Sequence, residues 1–157
     1  MIEYNDIKHV RPIADNINEA KRIQPYINEV ETLYLIPHFG AKRYKEIEAD
    51  KTAHEDLFKG GYYDDDNRYF AGLNEAVGYL VYSRFVKNNQ INITAFGVVN
   101  KQGQFSEQAD ERQIIRTAND AEKIGLEYLR QCVEFLNFGN SCVSTFKSKR
   151  KFRAIGN

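Results

Sequence analysis

The chain has 157 residues, 42% hydrophobic and 28% charged, the make-up of one ordinary soluble domain whose core needs no staples. Two cysteines, Cys132 and Cys142, give neither a disulfide framework nor a metal signature, and no apolar run has the length of a membrane span or the form of a leader. Net charge is zero but uneven: residues 139–157 hold five basic residues and no acidic one, which leaves the remainder at −5. Cys132 falls on a helical face and reads as a small buried hydrophobe, and synthesis in a reducing cytoplasm is expected.

Residues 1–17 show no clear period. Ile2, Tyr4, Ile7, Val10 and Ile13 are expected to run extended along the domain surface, and Pro12 opposes a helix there. The first long helix is expected over 19–37, capped by Asn16 or Asn18, with Ile23, Tyr26, Ile27, Val30, Leu33 and Tyr34 at helical spacing. Pro25 is placed in its first turn, where a missing N–H is tolerated, and Pro37 and Gly40 close it. A second helix is expected over 41–49 with Tyr44 and Ile47 inward. Residues 50–67 are the least regular, with a helical turn near Glu55–Phe58 and a break at Lys59-Gly60-Gly61.

The stretch Tyr69–Val99 organises the chain. A helix is expected over 67–88, because Phe70, Leu73, Val77, Leu80, Val81 and Phe85 recur in steps of three and four. Tyr69, Tyr79 and Tyr82 widen the stripe, and Ala71, Ala76, Gly78 and Ser83 leave room for close neighbours. Lys87-Asn88-Asn89 ends it. Ile91, Ile93 and Ala95 then alternate with Asn92 and Thr94, ahead of Phe96-Gly97-Val98-Val99, which is extended-chain patterning. Asn100-Lys101-Gln102-Gly103, before Phe105, reads as a hairpin turn or an excursion loop.

The last helix is expected over 107–137. Asp110 with Gln113 resembles a capping box, and Ile114, Ala118, Ala121, Gly125, Tyr128, Cys132 and Phe135 form one stripe flanked by Ile115, Leu129 and Leu136. Phe138-Gly139-Asn140 closes it. The fold class expected is all-α: a bundle of about four main helices, an extended excursion between the last two and an extended C-terminal tail. The helical domain is placed at 1–138 and the basic tail at 139–157. Its core is expected to include Ile27, Val30, Leu73, Val77, Leu80, Ile114, Ala118, Tyr128 and Phe135.

Little in the chain argues for catalysis. His9, His38 and His54 lie in dissimilar segments without ligand-like spacing, no Gly-flanked serine nucleophile occurs, and the glycines fit no phosphate loop. Asp64-Asp65-Asp66 offers hard ligands for a divalent cation, but the stronger reading is an acidic helix N-terminus that answers the dipole. The sharpest charge feature is Lys147–Arg153, with Phe146 and Phe152 interleaved. A solvated terminus, nucleic-acid phosphate contact and docking on an acidic protein surface are the three readings.

The order of YLIPHFG, a short helix with Tyr44 and Ile47, a central helix, ITAFGVV, a polar loop with Ser106, and a long helix through Tyr128-Leu129 and Phe135-Leu136 resembles a known family. It is similar to the head–tail connector (adaptor) proteins of tailed bacteriophages and prophages, particularly of the Bacteroidetes type. The resemblance covers about residues 15–138 and leaves the basic tail outside it. It implies a mostly helical virion subunit with no enzymatic activity and no cofactor. Such subunits form a ring, usually a dodecamer, beneath the portal protein, where it extends the DNA channel and presents a platform to tail components. The location implied is the head–tail junction of the virion, and the host cytoplasm during assembly. Genomic DNA would pass through without sequence-specific binding, and no membrane is involved.

The interface residues expected are Ile93, Phe96, Val98, Val99 and Phe105 in the excursion, and Phe146, Lys147, Lys149, Arg150, Lys151, Phe152 and Arg153 in the tail. The alternative is a small helical nucleic-acid-binding or regulatory protein that uses the basic tail. Size separates the two, since a connector assembles into rings while a regulator is a monomer or dimer.

Overall fold

The structure, a computed structural model, describes residues 2–10, 19–88, 91–94, 97–100 and 111–148. It is mostly helical. In chain order the elements are α1 (Tyr4–Ile7), α2 (Glu19–Val30), a π-helical turn (Glu31–Leu35), α3 (Ile36–Phe39), α4 (Ala41–Ala49) and α5 (Glu55–Lys59). The strands β1 (Gly61–Tyr63) and β2 (Arg68–Phe70) precede α6 (Leu73–Asn88), and β3 (Ile91–Thr94) and β4 (Gly97–Asn100) precede α7 (Glu111–Ser148).

Helix α6 lies at the centre. Leu73, Ala76, Val77, Gly78, Leu80, Val81, Ser83 and Phe85 are all buried, more than one face of a helix holds, so neighbours must cover several sides. α7 packs along it, and α1, α2 and α5 pack on the remainder. From α7 come the buried Ala118, Ala121, Leu129 and Cys132; from α2 come Ile23, Ile27 and Val30. The α6–α7 seam is close because Gly125 has no side chain: a Cβ there would lie 2.7 Å from Leu80 Cγ. Of the expected core, Ile27, Val30, Leu73, Val77, Leu80 and Ala118 are buried, Tyr128 and Phe135 pack against it half-buried, and Ile114 is half-buried.

Several expectations are corrected. Residues 2–10 do not lie extended on the surface, because Ile2 and Ile7 are buried in the core and Tyr4–Ile7 forms a helical turn, while Pro12, Ile13 and the expected caps Asn16 and Asn18 lie outside the described residues. The Glu3 amide starts that turn by donating to Asp6 Oδ2 at 2.9 Å. Pro25 falls in the second turn of α2, not the first; it is exposed, and buried Ile23 and Ile27 hold the helix through it. Pro37 lies in the first turn of α3, and the helical path stops at Gly40, whose φ is +80°. Helix α4 spans the residues expected, with Tyr44 and Ile47 buried.

The helix expected from residue 67 begins at Leu73, and Arg68–Phe70 is a strand paired with Gly61–Tyr63. The aspartate run therefore stands at the tip of a hairpin, not at a helix N-terminus. Back-to-back glycines enforce this, for a Cβ on Gly60 would meet the Ala71 carbonyl carbon at 2.4 Å, and one on Gly72 would meet the Gly60 nitrogen at 2.6 Å. The second hairpin turns between Thr94 and Gly97, not at Asn100–Gly103, since Thr94 pairs with Gly97 and Ile91 with Asn100. Finally, α7 does not close at Phe138-Gly139-Asn140 but runs to Ser148, so the boundary placed after residue 138 falls inside a helix. A glycine ends a helix only by turning left-handed, and Gly139 is not among the positive-φ glycines. Asp110, the expected cap, lies outside the described residues.

Candidate interface

The β1–β2 hairpin has two unlike faces. Its register sets Gly61 against Phe70, Tyr62 against Tyr69 and Tyr63 against Arg68, so alternation separates Tyr63, Arg68 and Phe70 from Tyr62 and Tyr69. The first face is fixed to α7. The Phe70 ring stacks on Phe135 with centroids 4.2 Å apart and planes 16° apart. Tyr63 meets Phe135 edge-on at 5.3 Å and Phe138 at 5.5 Å, and the Arg68 guanidinium lies 5.8 Å above the Phe138 ring. The second face is turned to solvent: Tyr62 is 70% exposed and Tyr69 60%, with their rings 5.1 Å apart.

The hairpin tip is strained. Asp64, Asp65 and Asp66 all have left-handed backbone, with φ of 58°, 52° and 63°. Each such residue costs on the order of 1–2 kcal/mol, and aspartate is among the few side chains that tolerate it. The Asn67 amide donates to the Asp64 carbonyl at 3.1 Å, and Asp64 Oδ2 lies 3.3 Å from Arg68 Nε. Asp65 and Asp66 are exposed.

A polar clamp ties three helical segments together on another side. Tyr34 in the π-helical turn donates its hydroxyl to Glu122 Oε1 at 2.6 Å, and Lys87 Nζ donates to Glu122 Oε2 at 2.6 Å. Arg84 pairs with Glu29. Burial first, and then the Glu122 carboxylate, push Tyr34 up to about 12. The Lys87 ammonium, followed by the Tyr34 hydroxyl, lowers Glu122. Farther along α7, Arg43 donates to Asn137 Oδ1 at 3.0 Å and to the Leu136 carbonyl at 2.9 Å, which holds α4 against the helix.

Other features offer little chemistry. A cleft of about 280 Å³ is lined by Asp6, Lys51, Glu55, Phe58, Lys59 and Asn74, and its charges cancel, with Lys59 paired to Glu55. Burial pushes the Cys132 thiol up to about 12, far from a nucleophilic thiolate. Among the described residues, no three His, Cys, Asp or Glu side chains gather as a metal site, and no helix is long and apolar enough to cross a membrane.

The described residues among those expected at an interface fall on the β3–β4 hairpin and on α7. Ile93 pairs with Val98 across β3–β4, and Val99 pairs with Asn92. Phe146 and Lys147 lie on the last turn of α7, not on an extended tail. Phe96, Phe105, Lys149, Arg150, Lys151, Phe152 and Arg153 lie outside the described residues. Tyr62 and Tyr69 are not among the interface residues that the sequence led us to expect. The signal that points to them is two short aromatic runs, Tyr62-Tyr63 and Tyr69-Phe70, around a polar Asp-Asp-Asp-Asn turn.

Fold and site define a mostly helical protein whose distinctive exposed surface is an aromatic hairpin fixed to its last helix. The chain belongs to a family of unknown function, DUF6712, whose model matches residues 35–142. The match runs from the end of the π-helical turn through most of α7 and includes the whole β1–β2 hairpin. No curated protein and no solved structure matches the chain.

Proposed function

We propose that this protein is a virion structural subunit, a ring-forming head–tail connector that joins a portal protein to tail components. Its four main helical segments, α2–α3, α4, α6 and α7, form the bundle, and the segment between α6 and α7 is the excursion that reaches a neighbour. The observation that supports the reading is the antiparallel β3–β4 pairing between α6 and α7, in the stretch that holds the ITAFGVV run of the connector resemblance. Long connections in compact domains usually serve a function. The exposed tyrosine pair of β1–β2 is a second support, since solvent-facing aromatics mark contact surfaces. In this reading the protein carries out no catalysis and takes no cofactor.

Electron microscopy and sedimentation of the purified full chain, with and without a portal protein, test the proposal. Rings in either condition are expected. A monomer or dimer in both conditions overturns it, and DNA binding that weakens steeply with salt would then favour the regulatory alternative. Removing residues 149–157 leaves Glu111–Ser148 intact while it deletes Lys149–Arg153. The shortened chain is expected to fold with an unchanged thermal midpoint and to lose portal binding. Loss of DNA affinity alone would show that these residues serve DNA.

A further inference from the structure

We propose that the solvent face of the β1–β2 hairpin docks onto the N-terminal half of α7 in a second copy of this chain. The inference rests on the ring reading above and names the surfaces that would close the ring. One surface is Tyr62 and Tyr69 with Asp65 and Asp66. The other is Ile115 with Arg116 and Lys123.

Three observations bring the two surfaces together. Both present apolar side chains open to solvent among the described residues: Ile115 is 46% exposed, and the two tyrosines are more open still. Their charges are opposite. Asp64 is paired with Arg68, which leaves Asp65 and Asp66 as the net charge of the hairpin tip. On α7 the exposed Arg116 and Lys123 stand against one exposed acid between them, Asp120, while Glu122 is held by Lys87 and Tyr34. Arg112, Ile115, Arg116, Asn119 and Lys123 are spaced in steps of three and four and so share one face of the helix.

The third observation is distance. The hairpin is anchored at Phe135, and on the same helix Lys123 lies about 18 Å and Ile115 about 30 Å away at 1.5 Å per residue. Ile115 is therefore out of reach of the hairpin of its own molecule. A contact from one end of a subunit to the other end of the next is heterologous, the kind that propagates into a closed ring. Both surfaces are fixed before contact, the hairpin by its aromatic stack and α7 by its seam with α6. Docking then orders little new structure, which favours affinity. The tyrosines supply apolar anchors, and the charges set register.

Charge reversal with rescue tests the contact, read by sedimentation and electron microscopy of the full chain, on the portal if the wild type requires one. Asp65→Lys/Asp66→Lys and Arg116→Glu/Lys123→Glu are each expected to weaken assembly ~10-fold or more, and a mixture of the two to reassemble, because each supplies the surface the other lacks. Asp65→Asn/Asp66→Asn removes the charge with a side chain suited to left-handed backbone, and is expected to weaken assembly with an unchanged circular-dichroism spectrum. Reversed variants that assemble like the wild type, or a mixture that stays apart, overturn this contact and leave the ring reading standing. A wild type that never assembles overturns both.

Discussion

The α6–α7 seam and the β1–β2 hairpin both rest on the last helix, yet they are buried in opposite ways. The seam is covered from several sides, and at Gly125 it is too tight for a Cβ. The hairpin is covered on one side only: Phe70 is 1% exposed, while Tyr69, the residue before it, lies open. A two-stranded hairpin is marginal by itself in water, so its fold depends on the Phe70–Phe135 stack. The contrast separates two jobs along one helix. Where α7 is buried against α6 it holds the monomer together, and where it anchors the hairpin it also presents a surface that the monomer does not use.

The sharpest way to break the contrast is to empty each anchor. Leu80→Ala in the seam is expected to cost ~2–5 kcal/mol and Phe70→Ala in the hairpin ~3–5 kcal/mol, as for other buried side chains of their size. Urea denaturation of each variant measures this. An unchanged midpoint for Phe70→Ala would mean that the stack does not hold the hairpin. Proteolysis near Asp64–Asp66 should rise in that variant and not in Leu80→Ala.

A smaller effect belongs to the polar clamp. Tyr34→Phe removes one hydrogen bond to a charged acceptor and is expected to cost ~1.5–3 kcal/mol at neutral pH. Because the folded protein holds the Tyr34 proton up to about 12, against 10 for the free side chain, the contribution is complete below pH 10 and declines as pH rises toward about 12. Wild type and Tyr34→Phe should therefore converge in thermal midpoint across that window. Glu122 acts in the other direction: its lowered pKa stabilises the fold above the ordinary carboxylate range, and that support is lost as pH falls through it. A gap between the two proteins that stays constant in alkali would show that Tyr34 and Glu122 do not share the proton-dependent bond.

The smallest effect on folding is expected where assembly is most affected. Tyr62→Ala and Tyr69→Ala remove side chains from the open face, so each should shift stability by no more than about 0.5 kcal/mol. A loss comparable to that of Phe70→Ala would place the open face in the fold of the monomer and erase the contrast.

Much of the helical plan was legible in the sequence, because a 3.6-residue repeat is local and one face of a helix must find apolar cover. The bounds of α4, the buried stripe of α6 and the Ala118–Cys132 stripe of α7 all come from spacing alone. The extended patterning of Ile91–Val99 is likewise read from alternation, and Ile91–Thr94 pairs there with Gly97–Asn100. Tertiary structure decided the remainder. Tyr69 and Phe70 continue the helical spacing of Leu73 and Val77, and only the close approach of Gly60 to Gly72 and the stack on Phe135 turn them into a strand. The same hairpin holds three aspartates left-handed at its tip and divides its tyrosines into half-buried Tyr63 and the open pair Tyr62 and Tyr69. Gly139 resembles a helix stop in the sequence, but it stops one only if the backbone turns left-handed, and here α7 continues to Ser148. Periodicity states which residues seek cover; which neighbour covers them, and which face is left open, depends on contacts between residues as far apart as Phe70 and Phe135, and no local pattern records those.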